Sequence, residues 1–105
     1  MGIRYLVILA AGLVFMGNAL AENGETLAKN NNCLTCHAID KKTVGPSFKD
    51  VAAKYKDDKN AQASLEKKVR SGGVGTWGKM PMPVTAMSVS DGDIKSIVHW
   101  VLSLK

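Results

Sequence analysis

Apolar residues near the C-terminus recur with the period of an α-helix. Ile94, Ile97, Val98, Val101 and Leu102 fall at i, i+3, i+4, i+7 and i+8, one continuous stripe. Ser90 stands ahead of it with Asp93 three residues on, a weaker form of the capping box that opens a helix. Phe48, Val51, Ala52 and Tyr55 repeat the spacing of three and four, which predicts a helix over Phe48–Tyr55 opened by Pro46 or Ser47. Lys56-Asp57-Asp58-Lys59 reads as a charged turn. Asn60 then caps a helix over Ala61–Arg70, with Leu65 and Val69 inward and Gly72-Gly73 as its stop. Upstream, Asn23 is expected to cap a short helix from Gly24 to about Asn31, with Leu27 and Ala28 as a narrow apolar face and Asn30-Asn31-Asn32 ending it. Nothing alternates with period two for long enough to make a strand. The expected fold is all-α, with four to five short helices.

The first residues stand apart from this pattern. Arg4 supplies a positive start, Tyr5 to Met16 is an apolar run, and Ala19-Leu20-Ala21 is a small-x-small cleavage site. The run falls short of the roughly 20 residues that span a bilayer, which disfavours an uncleaved anchor. Residues 1–21 are therefore expected to be a cleaved signal peptide, leaving Glu22–Lys105 as one domain. Its core is thin, and domains of that size commonly need a metal, disulfides or a cofactor to hold them. Cleavage removes Arg4 and leaves thirteen basic against nine acidic residues. So mild an excess favours an acidic partner surface. Without a Lys/Arg cluster interleaved with aromatics, nucleic acid is set aside.

The chemistry gathers at Cys33-Leu34-Thr35-Cys36-His37. Two cysteines three apart, with histidine directly after the second, have the spacing of covalent haem attachment. On one helical turn Cys33 and Cys36 share a face, each can reach one vinyl group of a porphyrin, and the His37 imidazole approaches the iron from that side. Three other readings compete. An exported chain could oxidise the pair to a disulfide. A dithiol redox site belongs beside a βαβ pattern, and none is visible. Zinc would need two more ligands, for which only His99 and carboxylates remain. His99 is offset from the stripe on the last helix and reads as a boundary residue beside Trp100, which is expected to pack on the first helix.

Gly72 to Val89 is the one long stretch without helical period, and long loops in small domains are usually functional. It carries Met80-Pro81-Met82-Pro83 and Met87. A thioether suits haem iron, where a His/Met pair raises the reduction potential. Pro81 and Pro83 stiffen the chain on both sides of Met82, which makes it the candidate second ligand. Met80 and Met87 are expected to fill the core.

Three stretches, CLTCHAIDKKTVGPSFKDVAAKY, VGTWGKMPMPVTAMS and the ending IVHWVLSLK, together resemble a small bacterial class I c-type cytochrome of the c-551 kind. The resemblance covers essentially all of Glu22–Lys105. It implies helices wrapped round one haem c, with Cys33 and Cys36 as thioether anchors, His37 as proximal ligand and Met82 as distal ligand. It further implies that the Pro46 carbonyl accepts the imidazole N–H and that the Trp77 indole reaches a haem propionate. Two positions depart from the family pattern. Thr85 stands where an asparagine often hydrogen-bonds near the methionine sulfur. Lys68 replaces a frequent arginine beside a propionate, and lysine lacks the bidentate fork.

The expected function is one-electron transfer by a soluble, monomeric periplasmic carrier, not an enzyme, because both axial positions are filled. The resemblance implies redox proteins as partners: a membrane cytochrome complex as donor, and a nitrite reductase, peroxidase or terminal oxidase as acceptor. Lys41, Lys42, Lys49 and Lys79 are placed to steer acidic partners or merely to solvate the surface. A haem enzyme or gas sensor with a displaceable sixth ligand is the main alternative. A colourless dithiol oxidoreductase is the second.

Overall fold

The computed structural model describes residues 19–105. The expected apolar run at Tyr5–Met16 lies outside them. Four α-helices follow in order: α1 (Ala19–Asn30), α2 (Phe48–Lys54), α3 (Ala61–Ser71) and α4 (Asp91–Leu102), with a 3-10 turn at Cys33–Thr35. Among the described residues the extended pairing is a single isolated bridge between Gly73 and Met82, so the chain is all-α as its periodicity predicts.

Helix α4 is the element on which the others pack: α1, α2 and α3 all contact it. Its stripe is the reason. Ile94, Ile97, Val98 and Val101 are buried, and the Ser90 hydroxyl accepts the Asp93 N–H at 3.1 Å to cap its start. The Ser47 hydroxyl does the same for α2, accepting the Asp50 N–H at 3.0 Å. One core cluster joins Ala28 of α1, Phe48 and Val51 of α2, and Ile97, Trp100 and Val101 of α4. Trp100 packs toward α1 as expected, and its ring meets Phe48 edge-on with centroids 5.5 Å apart. The α1–α4 crossing is close enough to demand glycine at position 24. A Cβ there would stand 2.4 Å from both the Ser96 carbonyl oxygen and the Trp100 Cβ.

Two helix starts differ from expectation. Helix α1 begins at Ala19, so Asn23 lies inside it and does not cap it. Ala19-Leu20-Ala21-Glu22 are all good helix formers, and nothing there breaks the helix before Gly24. Asn60 stands ahead of α3, but its side chain makes no capping bond. Its backbone is not extended (ψ 10°), and its own N–H instead donates to Asp58 Oδ1 at 2.8 Å, an Asx turn. The C-terminal stops behave as predicted. Helix α1 ends at the asparagine run with Asn32 left-handed at φ 65°, and α3 is capped by Gly72.

Candidate functional site

The cysteine motif is one tight turn. The N–H groups of Cys36 and His37 both donate to the Cys33 carbonyl, at 3.3 and 3.0 Å, which turns both thiols and the imidazole toward one region. The loop after His37 folds back on this turn: the Gly45 N–H and the Thr43 hydroxyl both donate to the Cys36 carbonyl at 2.7 Å. His37 is thereby enclosed. Its ring stacks on Phe48 with centroids 4.9 Å apart and planes 21° from parallel, and Gly45 presses on its other atoms.

His37 Nδ1 lies 2.7 Å from the Pro46 carbonyl oxygen. That oxygen can only accept, so Nδ1 carries a proton, and in the neutral imidazole Nε2 is the nitrogen with a free lone pair.

A cleft of about 880 Å3 opens between this turn, α2, α3, α4 and the 72–89 loop. Cys33, Cys36, His37, Lys68, Trp77 and Met82, the six residues singled out from the sequence, all line it. Leu65 and Val69 of α3, Val51 of α2, and Ile97, Val98 and Val101 of α4 supply aliphatic walls. Met82 is held by a pair of backbone hydrogen bonds, Gly73 N–H to its carbonyl at 3.0 Å and its own N–H to the Gly73 carbonyl at 2.8 Å. Trp77 is 43% exposed at the rim, with Lys54 Nζ 5.4 Å from its ring centroid. Lys54 also lies over Tyr55, at 5.9 Å.

Met80 and Met87 do not fill the core. They are 65% and 83% exposed, because both sit on the loop with no helix face to turn them inward. Met87 lies just inside the turn closed by the Val89 N–H on the Ala86 carbonyl. Lys41, Lys42, Lys49 and Lys79 are exposed, and Lys42 and Lys79 also border the cleft. His99 is exposed on α4. At Thr85 the hydroxyl donates its single proton to the Val69 carbonyl at 2.7 Å, leaving none for a sulfur.

The competing chemistries can be weighed on the same geometry. The two thiols are not bonded to each other. Burial pushes the Cys33 thiol up, against a weaker opposing backbone hydrogen bond, whereas dithiol catalysis wants a lowered thiolate pKa. Among the described residues no group of three or more His, Cys, Asp and Glu side chains could hold a metal ion, so the zinc reading lacks its ligands. A c-type haem fits instead. The thiols share one turn, the imidazole offers a bare Nε2, and the walls are aliphatic. Half-buried Lys68 is, among the described residues, a cation in the cleft without an acidic partner, able to meet a carboxylate.

The profile of the Cytochrome c family matches residues 21–105. The chain belongs to the cytochrome c family. It is 46% identical to cytochrome c-551 of Pseudomonas aeruginosa over 95% of this chain and 94% of that protein. It is 45% identical to cytochrome c-552 of Nitrosomonas europaea, over 91% of this chain and 90% of that one. The crystal structure of Nitrosomonas europaea cytochrome c552 superposes with a TM-score of 0.73 at 47% identity, covering 77% of this chain and 99% of the other. As a cytochrome c, the protein is an electron carrier and not an enzyme. It holds one covalent haem c through Cys33 and Cys36, and its partners are redox proteins.

One residue of this cytochrome's cleft region escaped sequence reasoning altogether. Arg70, in the last turn of α3, reaches the loop beyond Met82 through partners 15 to 21 residues away. No local pattern carries so distant a pairing.

Proposed function

We propose that this cytochrome is a periplasmic one-electron carrier whose haem iron is held between His37 and Met82. The observation that carries the reading is the hydrogen bond from His37 Nδ1–H to the Pro46 carbonyl, within a cleft that Met82 also lines. A c-type haem supplies reversible one-electron chemistry at its iron. The chain's own residues do the rest. Pro46 sets the imidazole tautomer, orients the ring and increases its basicity. Phe48 and Gly45 limit the ring's rotation. Prolines on either side of Met82, together with the bonds to Gly73, limit rearrangement of the sulfur on redox change. With both axial positions taken, no place remains for a substrate.

Lys68 and the Trp77 indole are the groups assigned to the haem propionates. Residues 1–21 act as a cleaved signal peptide, which places the mature domain in the periplasm. Cleavage after Ala21 trims α1 within its first turn and keeps Gly24 and Ala28, the positions packed on α4 and the core. Exposed Lys42 and Lys79 at the cleft border favour acidic docking surfaces on the partners, with association slowing as ionic strength rises. A membrane cytochrome complex as donor and a nitrite reductase, peroxidase or terminal oxidase as acceptor fit that description.

The test is an absorption spectrum of protein recovered from the periplasm, oxidised and reduced. A c-type reduced spectrum with the weak far-red sulfur-to-iron band in the oxidised form is expected. A c-type spectrum without that band would overturn Met82 as ligand.

A further inference from the structure

The loop that carries Met82 is fastened at the methionine and again beyond it. At Met82 itself, the fastening is the paired backbone bonding with Gly73, two residues past the end of α3. Beyond it, the fastening is Arg70. Its guanidinium, 21% exposed, donates from Nη1 to the Ala86 carbonyl at 2.9 Å and, at longer range, to the Thr85 carbonyl at 3.5 Å. From Nη2 it donates to the Val89 carbonyl and to Asp91 Oδ1, both at 2.7 Å. The Thr85 N–H returns a bond to the Arg70 carbonyl at 3.3 Å. Residues 83–89 have no ladder of their own, apart from the turn that the Val89 N–H closes on the Ala86 carbonyl. With the Thr85 hydroxyl on the Val69 carbonyl as the one other side-chain tie to α3, the planar Arg70 side chain takes the place of secondary structure for most of this segment.

We propose that Arg70 is a positioning residue for the axial methionine: by tying residues 85–91 to α3 it keeps the loop shut and the Met82 sulfur presented to the iron. This rests on reading Met82 as the ligand. A thioether is a weak ligand, so the free energy that closes the loop governs how often the sulfur is in place. An external ligand can bind only when the loop is open, and its apparent affinity scales with the open fraction. Losing the guanidinium leaves the carbonyls of Thr85 and Val89 without this donor and Ala86 with the Val89 N–H alone, and so raises that fraction. Lysine cannot replace it, because one ammonium lacks the planar fork that reaches several acceptors at once.

The experiment titrates imidazole into the ferric, haem-loaded protein and follows the far-red band in wild type, Arg70→Lys, Arg70→Ala, Gln62→Ala and Met82→Ala. Gln62 links α3 to α4 through the Lys95 carbonyl at 3.1 Å, and its other hydrogen bond goes to Glu66 on its own helix, so its variant reports a general loosening. Both Arg70 variants are expected to bind imidazole on the order of ten-fold more tightly than wild type, with the band lost at lower temperature. Gln62→Ala is expected to match wild type. Arg70→Lys carries the test if Arg70→Ala fails to fold. Wild-type imidazole affinity and an unchanged band in folded Arg70→Lys would overturn the proposal, as would an equal gain in Gln62→Ala. A wild type that lacks the band and binds imidazole like Met82→Ala would instead overturn the ligand reading beneath it.

Discussion

The Pro46 carbonyl oxygen stands 2.7 Å from His37 Nδ1, and this one contact fixes which nitrogen of the imidazole is left for a metal. It exists because the 38–46 loop closes on the Cys36 carbonyl, and the closure needs a residue without a side chain at position 45. A Cβ on Gly45 would lie 2.7 Å from His37 Cε1 and 3.0 Å from Nδ1. The neighbour is a rigid ring trapped against Phe48, so it cannot swing aside cheaply.

Gly45→Ala is therefore expected to destabilise the haem-loaded protein by about 1–3 kcal/mol, the usual cost of overpacking. Denaturant unfolding followed at the haem absorbance measures it. Unchanged stability would mean that the loop moves freely and that the Pro46 contact is not held by packing.

The methionines separate by position. Met82→Ala should abolish the far-red band, open the ferric iron to cyanide and lower the potential by on the order of 100 mV, since axial-ligand identity spans about 0.8 V across haem proteins. Met80→Ala should leave band and potential nearly unchanged, because Met80 is 65% exposed and its backbone makes none of the bonds that hold Met82. Redox titration of the two variants decides it, and exchanged behaviour would move the ligand to Met80.

Much of this was legible because it is local. The cysteine motif is a single turn bonded within itself, and α4 carries its whole buried stripe in twelve residues with its own serine cap. The Pro46 acceptor, nine residues from His37, was legible through the family resemblance and not through its spacing. What could not be read depends on chain closure or on competition between near-equal signals. Asn23 and Asn60 both look like caps, yet one is overridden by good helix formers upstream and the other by Asp58, which offers its carboxylate first. Met87 looks like core material, but a turn faces it outward. Arg70 resembles any basic residue in a last helical turn until α3 and the loop come together.

Trp77 offers a test of the propionate assignment. Its ring lies under the Lys54 ammonium at 5.4 Å, a contact that phenylalanine would keep, whereas the indole N–H would be lost. If that N–H serves a propionate, Trp77→Phe removes a donor to the charged carboxylate and raises its pKa by up to about one unit. The potential falls as the propionate ionises, so the break in its pH dependence should move upward in Trp77→Phe, with higher potentials between the old and new breaks. Voltammetry across pH reads it directly. A superimposable profile would return Trp77 to a packing role.

Removing haem should unfold the chain. The core cluster is six buried residues shared among three helices, and the cleft beside it draws on the same α2 and α4 side chains, Phe48, Val51, Ile97 and Val101. A haem in this cleft would therefore contact the core itself. Without haem the aliphatic walls of that cleft stand open to water, and burial worth about 25 cal/mol per Å2 is lost from a domain whose whole stability is roughly 5–15 kcal/mol. Collapse is the alternative, and it would drag α3 and the Met82 loop from their contacts with α4. Cys33→Ala/Cys36→Ala protein, which cannot attach haem, is therefore expected to show little helical far-UV dichroism and no cooperative thermal transition. A native-like spectrum with a sharp transition would mean that the four helices form a sufficient core by themselves.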